Sequence, residues 1–496
     1  MTPEELEKLQ QENDILRQQN VALKHIIALL KKDKFGSKSE RIDLAQDQLL
    51  FNELELEAKI NPEEPEQTEL ITGYTRKKKG RGARKPFPKD LPREEVVIDL
   101  PESEKICPHD GSALKPIGEE VNEKLKVVPA QLSVVVEKKL KYACPTCDGH
   151  MAQARANSIL PGTIATVELL AFLIFSKFFQ GLPLYRLEEL FNMQGIDLKR
   201  GTMASWLIRV SEKLQPIWNI LEEWALASGY VGIDATSVQV LKEDGRRPET
   251  KSFMWARGSP ELGIVLFDYN ISGAGYVAKE LITGFSGALQ SDAHRGYNQL
   301  TELERLGCMM HSRRRFYEAY LAAKKQPGLA QDAMMMVKKV YRLEEVCKES
   351  ALNPDERFKM RELQVKPLME KLQKWCEQHR SKLLPSGPLG IAIKYYLEEY
   401  EHLTAFLKNG RYEIDNGWIE RAIRKFAIGR NNWLFCDSVD GAKASSLFYS
   451  LIITAKLNDK NPFDAMVAIL KNINEAETIE DFERLAALLV KRPTLH

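Results

Sequence analysis

YVGIDATSVQVL, residues 230 to 241, sets one carboxylate, Asp234, among Val, Ile and Gly. Val231, Ile233 and Ala235 alternate with Gly232 and Asp234, and Val238 and Val240 extend the pattern, which predicts a β-strand. Asp is depleted in strands because its short side chain competes for backbone donors. A strand-end position facing water is one reason for its presence, and chemistry is the other. Two later acids decide between them.

Downstream, KEDGRRPE reads as a turn, SFMWARG and GIVLFDYN as two more strands of an antiparallel meander, and AGYVAKELITGF as a helix. FSGALQSDAHRGYNQL carries a short strand ending at Asp292, with a helix from about Tyr297; LERLGCMMHSRRRFYEAY gives a fifth strand running into a basic helix. Three strands, helix, strand, helix, strand is the ribonuclease-H-like order, in which acids at the ends of the first and fourth strands lie side by side. Two such carboxylates repel unless cations sit between them, and hard oxygen ligands suit Mg²⁺ or Mn²⁺. Two ions about 4 Å apart would activate the attacking oxygen and stabilise the leaving one in phosphodiester displacement.

A third acid is Glu420, in YEIDNGWIERAIRKFAIGRNNW. Asp415 or Asn416 can cap a helix starting near Gly417, and Asn416, Glu420, Ile423 and Arg424 then share roughly one face. Taken alone, Glu420 reads as a solvated charge paired with Arg424; beside Asp234 and Asp292 it reads as a metal ligand. Arg421, Arg424, Lys425 and Arg430 are expected to contact phosphates. His311, Arg313 and Arg314 in CMMHSRRRF, with the arginines ending the fifth strand, are expected to face DNA. A charged helical stretch, about 317 to 406, interrupts the fold before its last helix.

The chain opens with Thr2, Pro3 and Glu5, a capping box with Pro at the first helical position. Leu9, Leu16, Leu23 and Leu30 then recur every seven residues, with Leu6, Asn13, Asn20 and Ile27 on the other seam. Leu at d with Asn at a favours a parallel two-stranded coil, so residues 2 to 30 are expected to pair with a second copy. Acidic residues 53 to 69 precede RKKKGRGARKPFPK (76 to 89), where Lys77, Lys78, Lys79, Arg81, Arg84 and Lys85 are candidate phosphate contacts on a linker. Residues 106 to 150 carry ICPHDG and ACPTCDGH: Cys144 and Cys147 form a CxxC knuckle after a strand, and Cys107 lies in a turn of its own. Structural Zn²⁺ is expected there, with Asp110 or His109 as the fourth ligand. Residues 163 to 227 read as helices: 166 to 179, then LYRLEELFNMQG, then one from Lys199 and Arg200, a helix-turn-helix pattern.

At 496 residues, several domains are expected. Lys plus Arg (71) balance Asp plus Glu (70), so DNA-directed charge has to be local, in residues 76 to 89, 311 to 315 and 421 to 430. Seven cysteines and an opening MTPEELEKLQQEN without an apolar stretch point to a cytosolic chain. The most apolar run, VELLAFLIFSKFF, is too short to span a bilayer.

The zipper, FGSKSER, the CPHDG and YACPTCDGH module, GIDATSV, LQSDAHRGY, CMMHSRRRF, DNGWIERAIR and GRNNWLF, in this order, resemble the transposases of the insertion-sequence 66 family across essentially the whole chain. The resemblance implies a multidomain α/β protein: coiled coil (1 to 41), charged linker (42 to 100), small zinc ribbon-like module (101 to 150), helical DNA-binding region (163 to 227), ribonuclease-H-like DDE domain with a helical insertion (228 to 450) and a C-terminal helical segment (455 to 496). It implies Asp234, Asp292 and Glu420 as the metal-binding triad, cleavage and joining of double-stranded DNA at element ends, accessory proteins of the same element as partners, and a bacterial cytoplasmic, nucleoid-associated setting. The family's zinc module has four cysteines, and Asp110 stands where one of them would be. The rival expectation is a DNA-binding regulator derived from a transposase; a nuclease of the same fold that cuts without joining is the third.

Overall fold

The computed structural model describes residues 132–143, 151–153 and 157–491. They divide into two units, the smaller within Ser37–Ala154 and the larger from Arg155 onward. In the smaller unit, β1 (Lys141–Ala143) and β2 (Met151–Gln153) pair antiparallel, so a strand ends at the residue before Cys144. The coiled coil of residues 2 to 30, the basic linker with Lys77 to Lys85, and Cys107, His109, Asp110, Cys144 and Cys147 lie outside the described residues.

The larger unit opens with α1 (Val167–Ile174), whose Thr166 side chain accepts from Leu169 N, and which runs on as a π-helical turn, Phe175–Phe179. After α2 (Leu184–Met193) comes α3 (Arg200–Ala227), a long core helix that buries Met203, Leu207, Val210, Leu214, Ile217 and Leu221. The sheet follows: β3 (Tyr230–Lys242), β4 (Lys251–Ser259), β5 (Ile264–Asn270), α4 (Gly275–Leu281), β6 (Ala288–Gln290) and β7 (Glu304–Leu306). Strand order is β5-β4-β3-β6-β7, with the β3, β4, β5 meander antiparallel and β3, β6, β7 parallel. Next come α5 (Met309–Ala322), α6 (Leu329–Glu349), α7 (Pro354–Met360), α8 (Lys366–Arg380), α9 (Pro388–Glu398) and α10 (Tyr400–Thr404). The chain then re-enters the sheet region through α11 (Gly417–Trp433), β8 (Cys436–Ser438), α12 (Val439–Leu457), α13 (Pro462–Asn472) and α14 (Ile479–Ala486).

Four expectations change. The helix near Tyr297 is one 3₁₀ turn, Arg295–Gln299. Arg313 and Arg314 lie in the first turns of α5, because the fifth strand is only three residues long and ends at Leu306. Asp234 is not at a strand end: β3 runs thirteen residues, and the acid is the fifth. It is nevertheless at the edge of the pairing, since β6 matches only Tyr230–Gly232. The boundary expected at 450 also falls inside α12.

On that same side β8 rejoins β3 at Val240 and Lys242, so among the described residues no strand pairs with Ile233–Gln239 there. Helix α11 occupies the gap. Asn416 Nδ2 donates to Ile233 O at 2.9 Å, and Arg430 Nη1 donates to Ser237 O and, at 3.2 Å, to Thr236 Oγ1. Backbone groups buried without a ladder partner are costly, and these contacts satisfy two carbonyls of the gap. Gly232 permits the approach: a Cβ there would lie 2.5 Å from Asn416 Oδ1 and 2.9 Å from Trp418 Cζ2.

At the meander's edge, α12 covers β5. Phe267 N donates to Ser450 Oγ at 2.7 Å and Val265 N to Thr454 Oγ1 at 3.1 Å, so two polar side chains of a buried helix take up the donors an edge strand would expose.

The loop that delivers α11 is held by the insertion. Glu344, buried on α6, accepts from Arg357 Nη2 at 2.8 Å and from Arg361 Nε and Nη2, each at 2.8 Å. Arg361, fully buried, also donates to the carbonyls of Phe406, Asn409 and Tyr412 at 2.8–2.9 Å. Arg357 reaches Glu413 Oε1 at 2.9 Å, and Gln290 Nε2 on β6 donates to Glu413 O at 2.9 Å. Burial raises the Glu344 pKa, but the two guanidiniums outweigh it and hold the carboxylate below its ordinary value.

Glu344→Gln should destabilise the protein by about 3–5 kcal/mol, because it leaves the buried Arg361 guanidinium without its counter-charge and Arg357 with Glu413 alone. Arg342→Ala, which removes an exposed pair with Glu345, should leave stability nearly unchanged. Chemical denaturation of the two variants checks the contrast; equal small effects would contradict it.

Candidate active site

Asp234, Asp292 and Glu420 come from three distant segments, and the fold brings Asp234 within charge range of both of the others. Asp234, on β3, accepts from Ala235 N at 2.7 Å through Oδ1. Asp292, two residues past β6, accepts from His294 N at 3.0 Å, while Arg305 Nη2 holds its carbonyl at 3.1 Å. Glu420 projects from the first turn of α11, with its side chain 15% exposed. Burial and then the charge of Asp292 push Asp234 up to about 7; burial and then the charge of Asp234 push Glu420 up to about 7. Arg314 Nη2, 3.9 Å from Glu420 Oε2, opposes the second shift only in part.

Around them stand groups of mixed sign. His311 Nδ1 is 3.8 Å from Glu420 Oε1 and is buried without a hydrogen-bond partner. Burial lowers the His311 pKa; Asp292 opposes that, and Arg314 and Arg315 add to it. Arg313 lies over the Tyr341 ring at 4.5 Å and Arg315 over Tyr395 at 4.3 Å, so of the three consecutive arginines, Arg314 is the exposed one beside the acids. Tyr297, buried, is raised well above its ordinary value by burial and by the charges of Asp234 and Asp292. Arg421 is exposed and Arg424 half-buried on α11, whereas Arg430 is committed to β3. Glu420 turns toward Arg314, His311 and Cys308, not to the exposed side where a lone helix charge would sit.

Two residues were not singled out by their sequence context. Cys308 is buried, accepts from Asn416 N at 3.3 Å and donates to Glu420 Oε1 at 3.8 Å; burial holds its thiol well above the usual range. Asn416 reads in the sequence as a helix cap, but its side chain makes no cap; Asp415 Oδ1 accepts from Gly417 N at 3.0 Å, and Asn416 is the tie to β3. Among the described residues, a group whose ligand atoms all lie within 4.8 Å is Cys308, His311 and Glu420, and Asp234 and Asp292 are outside it. A two-ion cage spreads its oxygens more widely than one ion does, since the ions themselves stand about 4 Å apart.

The donor set fits hard divalent cations. Asp234, with Asp292 and Glu420 about it, has Arg314 as a partial counter-charge, and burial and carboxylate repulsion push Asp234 and Glu420 up to about 7, a strain that a hard divalent cation would relieve.

The model "Transposase IS66 family" matches residues 162–444, more than half of the chain, with β3 to β8 and the three acids inside it. The chain belongs to the IS66 transposase family. Two further models match in the same order: "Transposase C of IS166 homeodomain" over residues 22–96 and "zinc-finger binding domain of transposase IS66" over 104–148, which includes Cys107, Cys144 and Cys147. A zinc-finger module and DNA binding therefore belong to its description. Relatives in Sinorhizobium fredii (strain NBRC 101917 / NGR234) include the uncharacterized proteins y4jD, 30% identical over 97% of this chain and 96% of its own length, and y4hP, 28% identical over 94% and 88%. Among the described residues, no helix is long and apolar enough to cross a membrane.

Because Asp234 and Glu420 titrate near 7 folded and near 4 unfolded, the metal-free folded state holds protons that the unfolded state releases in that window. Their stabilising contribution, complete below about pH 4, is lost as pH rises to about 7. A cation needs both carboxylates ionised, so Mg²⁺ should raise Tm more at about pH 8 than at about pH 6. Thermal melts at both pH values check this, and a larger Mg²⁺ shift at the lower pH would contradict it.

Proposed function

We propose that this chain is a DDE transposase that cleaves DNA at the ends of its element and joins them to target DNA, with Asp234, Asp292 and Glu420 as ligands for two Mg²⁺ or Mn²⁺ ions. The carrying observation is the convergence of the three acids beside Arg314 and His311. The sheet order β5-β4-β3-β6-β7, antiparallel then parallel, supports a ribonuclease-H-like catalytic domain with α5 to α10 as its insertion.

Bound ions would lower the pKa of the attacking hydroxyl and stabilise the leaving oxygen. The chain's own residues do the rest. Asp234 and Asp292 follow the paired ends of β3 and β6 and feel each other's charge, and their repulsion would fall when positive charge is bound between them. Glu420 is presented by a helix tied to β3, so its distance from Asp234 is set by the fold. Arg314 is positioned to receive a phosphate oxygen, with His311 beside it. Arg421 and Arg424 extend the basic surface along α11, and Lys77 to Lys85 would add contacts from the linker. Arg430 belongs to the scaffold and not to the DNA surface.

Duplex DNA is the expected partner. A parallel dimer through residues 2 to 30, accessory proteins of the same element, a Zn²⁺ held by Cys107, Cys144, Cys147 and Asp110 or His109, and a working place in the bacterial cytoplasm with the nucleoid complete the proposal.

Asp234→Asn, Asp292→Asn and Glu420→Gln should each reduce strand cleavage by about 10³-fold or more, the scale of losing several kcal/mol of charge stabilisation. Binding to the element end should persist, because affinity rests on Lys and Arg contacts to phosphates. A labelled end fragment, assayed for cleavage, joining and mobility shift, tests both halves. Cleavage at the wild-type rate in any of the three variants would contradict the proposal. End binding with no cleavage in wild type, accessory proteins supplied, would favour a regulatory derivative.

A further inference from the structure

Cys308 and His311 are not needed to bind hard cations, yet both reach the carboxylate that would. Sγ of Cys308 and Nδ1 of His311 each lie 3.8 Å from Oε1 of Glu420, and the three side chains place ligand atoms within 4.8 Å of one another. Tetrahedral Zn²⁺ with ligands at about 2.0–2.3 Å separates neighbouring ligand atoms by about 3.3–3.6 Å. The two spacings to Glu420 exceed that by a few tenths of an ångström, within what rotation of a Glu side chain on an α-helix absorbs.

The surroundings suit a ligand set. His311 Nδ1 is buried with no hydrogen-bond partner, an arrangement that costs free energy unless something occupies its lone pair or takes its proton. Cys308 is fully buried as the N-cap residue of α5, with extended backbone, and His311 follows three residues later in the first helical turn, so the start of one helix carries the two as a C-x-x-H pair. One thiol, one imidazole and one carboxylate make a soft, mixed donor set that selects Zn²⁺ or Co²⁺ over Mg²⁺.

We propose that Cys308, His311 and Glu420 form a binding site for a thiophilic divalent transition metal, Zn²⁺ or its stand-in Co²⁺, in competition with the hard ion for Glu420. The competition rests on the reading of Glu420 as a ligand of the catalytic ion; the site itself does not. On binding, the Cys308 thiol gives its proton to solvent and the sulfur becomes a thiolate ligand. The Cys308 contact to Glu420 then becomes a metal bridge, and the catalytic carboxylate is held away from Asp234. Zinc would thus act on this chain twice, as a structural ion in the zinc-finger module and as an inhibitor at the acids.

The test uses the full-length protein stripped of metal and titrated with Co²⁺, which gives thiolate charge-transfer absorption in the near ultraviolet and visible bands when tetrahedral. Wild type should bind about one more equivalent of Co²⁺ than Cys308→Ser or Glu420→Gln, with the module's own signal unchanged in both variants. His311→Gln should lose the same equivalent, and circular dichroism should report folded protein in all three. Excess Mg²⁺ should shift Co²⁺ binding at this site to higher concentration without affecting the module. Equal stoichiometry and equal charge-transfer intensity in wild type and all three folded variants would overturn the proposal. Loss of the extra equivalent in the variants, with no effect of Mg²⁺, would uphold the site and overturn the sharing of Glu420 with a hard ion. No step of the test requires DNA cleavage, so an inactive protein would leave its outcome readable.

Discussion

The open stretch of β3, between the end of its pairing with β6 at Gly232 and its return to pairing with β8 at Val240, is the constraint on which the site depends. A strand left unpaired on one side must satisfy its carbonyls elsewhere, and here a helix does so. Asn416 takes the carbonyl of Ile233 and Arg430 that of Ser237, on either side of Asp234. The same two contacts that complete the hydrogen bonding of β3 fix the helix that carries Glu420. Placement of the third acid is therefore a by-product of satisfying the strand that carries the first.

That arrangement requires the loop before α11 to arrive at a set height, and the insertion supplies the stop. Glu344 and Arg361 are buried together, and Arg361 clamps three carbonyls between Phe406 and Tyr412. Tyr230 and Gln290 complete the hold from the strand side, through Glu413. A buried ion pair of this kind is weak as a source of stability and strong as a source of specificity, since one misplaced partner strands a charge. Glu344 on α6, Arg357 on α7 and Arg361 just after it thus act on the acids through the loop before α11.

The alternation in residues 230 to 241, the meander and the acids themselves were legible because their signals are local: period two in a strand, Asp-Gly in a turn, an acid in a run of apolar residues. Asp234, Asp292 and Glu420 could be named for that reason, together with a resemblance that spans the chain. Asn416 was legible only as a helix cap, because a side-chain amide reaching a strand 183 residues earlier leaves no trace in local pattern. Cys308 was hidden the same way: a lone buried cysteine reads as packing until the helix from Gly417 is set beside it. Arg313 to Arg315 were displaced from strand to helix because a strand of three residues has too few positions to show a period. The basic surface that the sequence suggested is correspondingly narrower, with Arg313 and Arg315 stacked on tyrosines and Arg430 bound to β3.

Fe²⁺ substituted for Mg²⁺, with ascorbate and peroxide, generates radicals that cut the polypeptide next to the bound ion. That measurement bears most directly on the central claim, because it reads cation position without requiring DNA, accessory proteins or turnover. The account predicts backbone cuts clustered near Asp234, Asp292 and Glu420, three places far apart in sequence, all suppressed by excess Mg²⁺. Cuts confined to other segments, or cuts at these three that Mg²⁺ does not suppress, would contradict it.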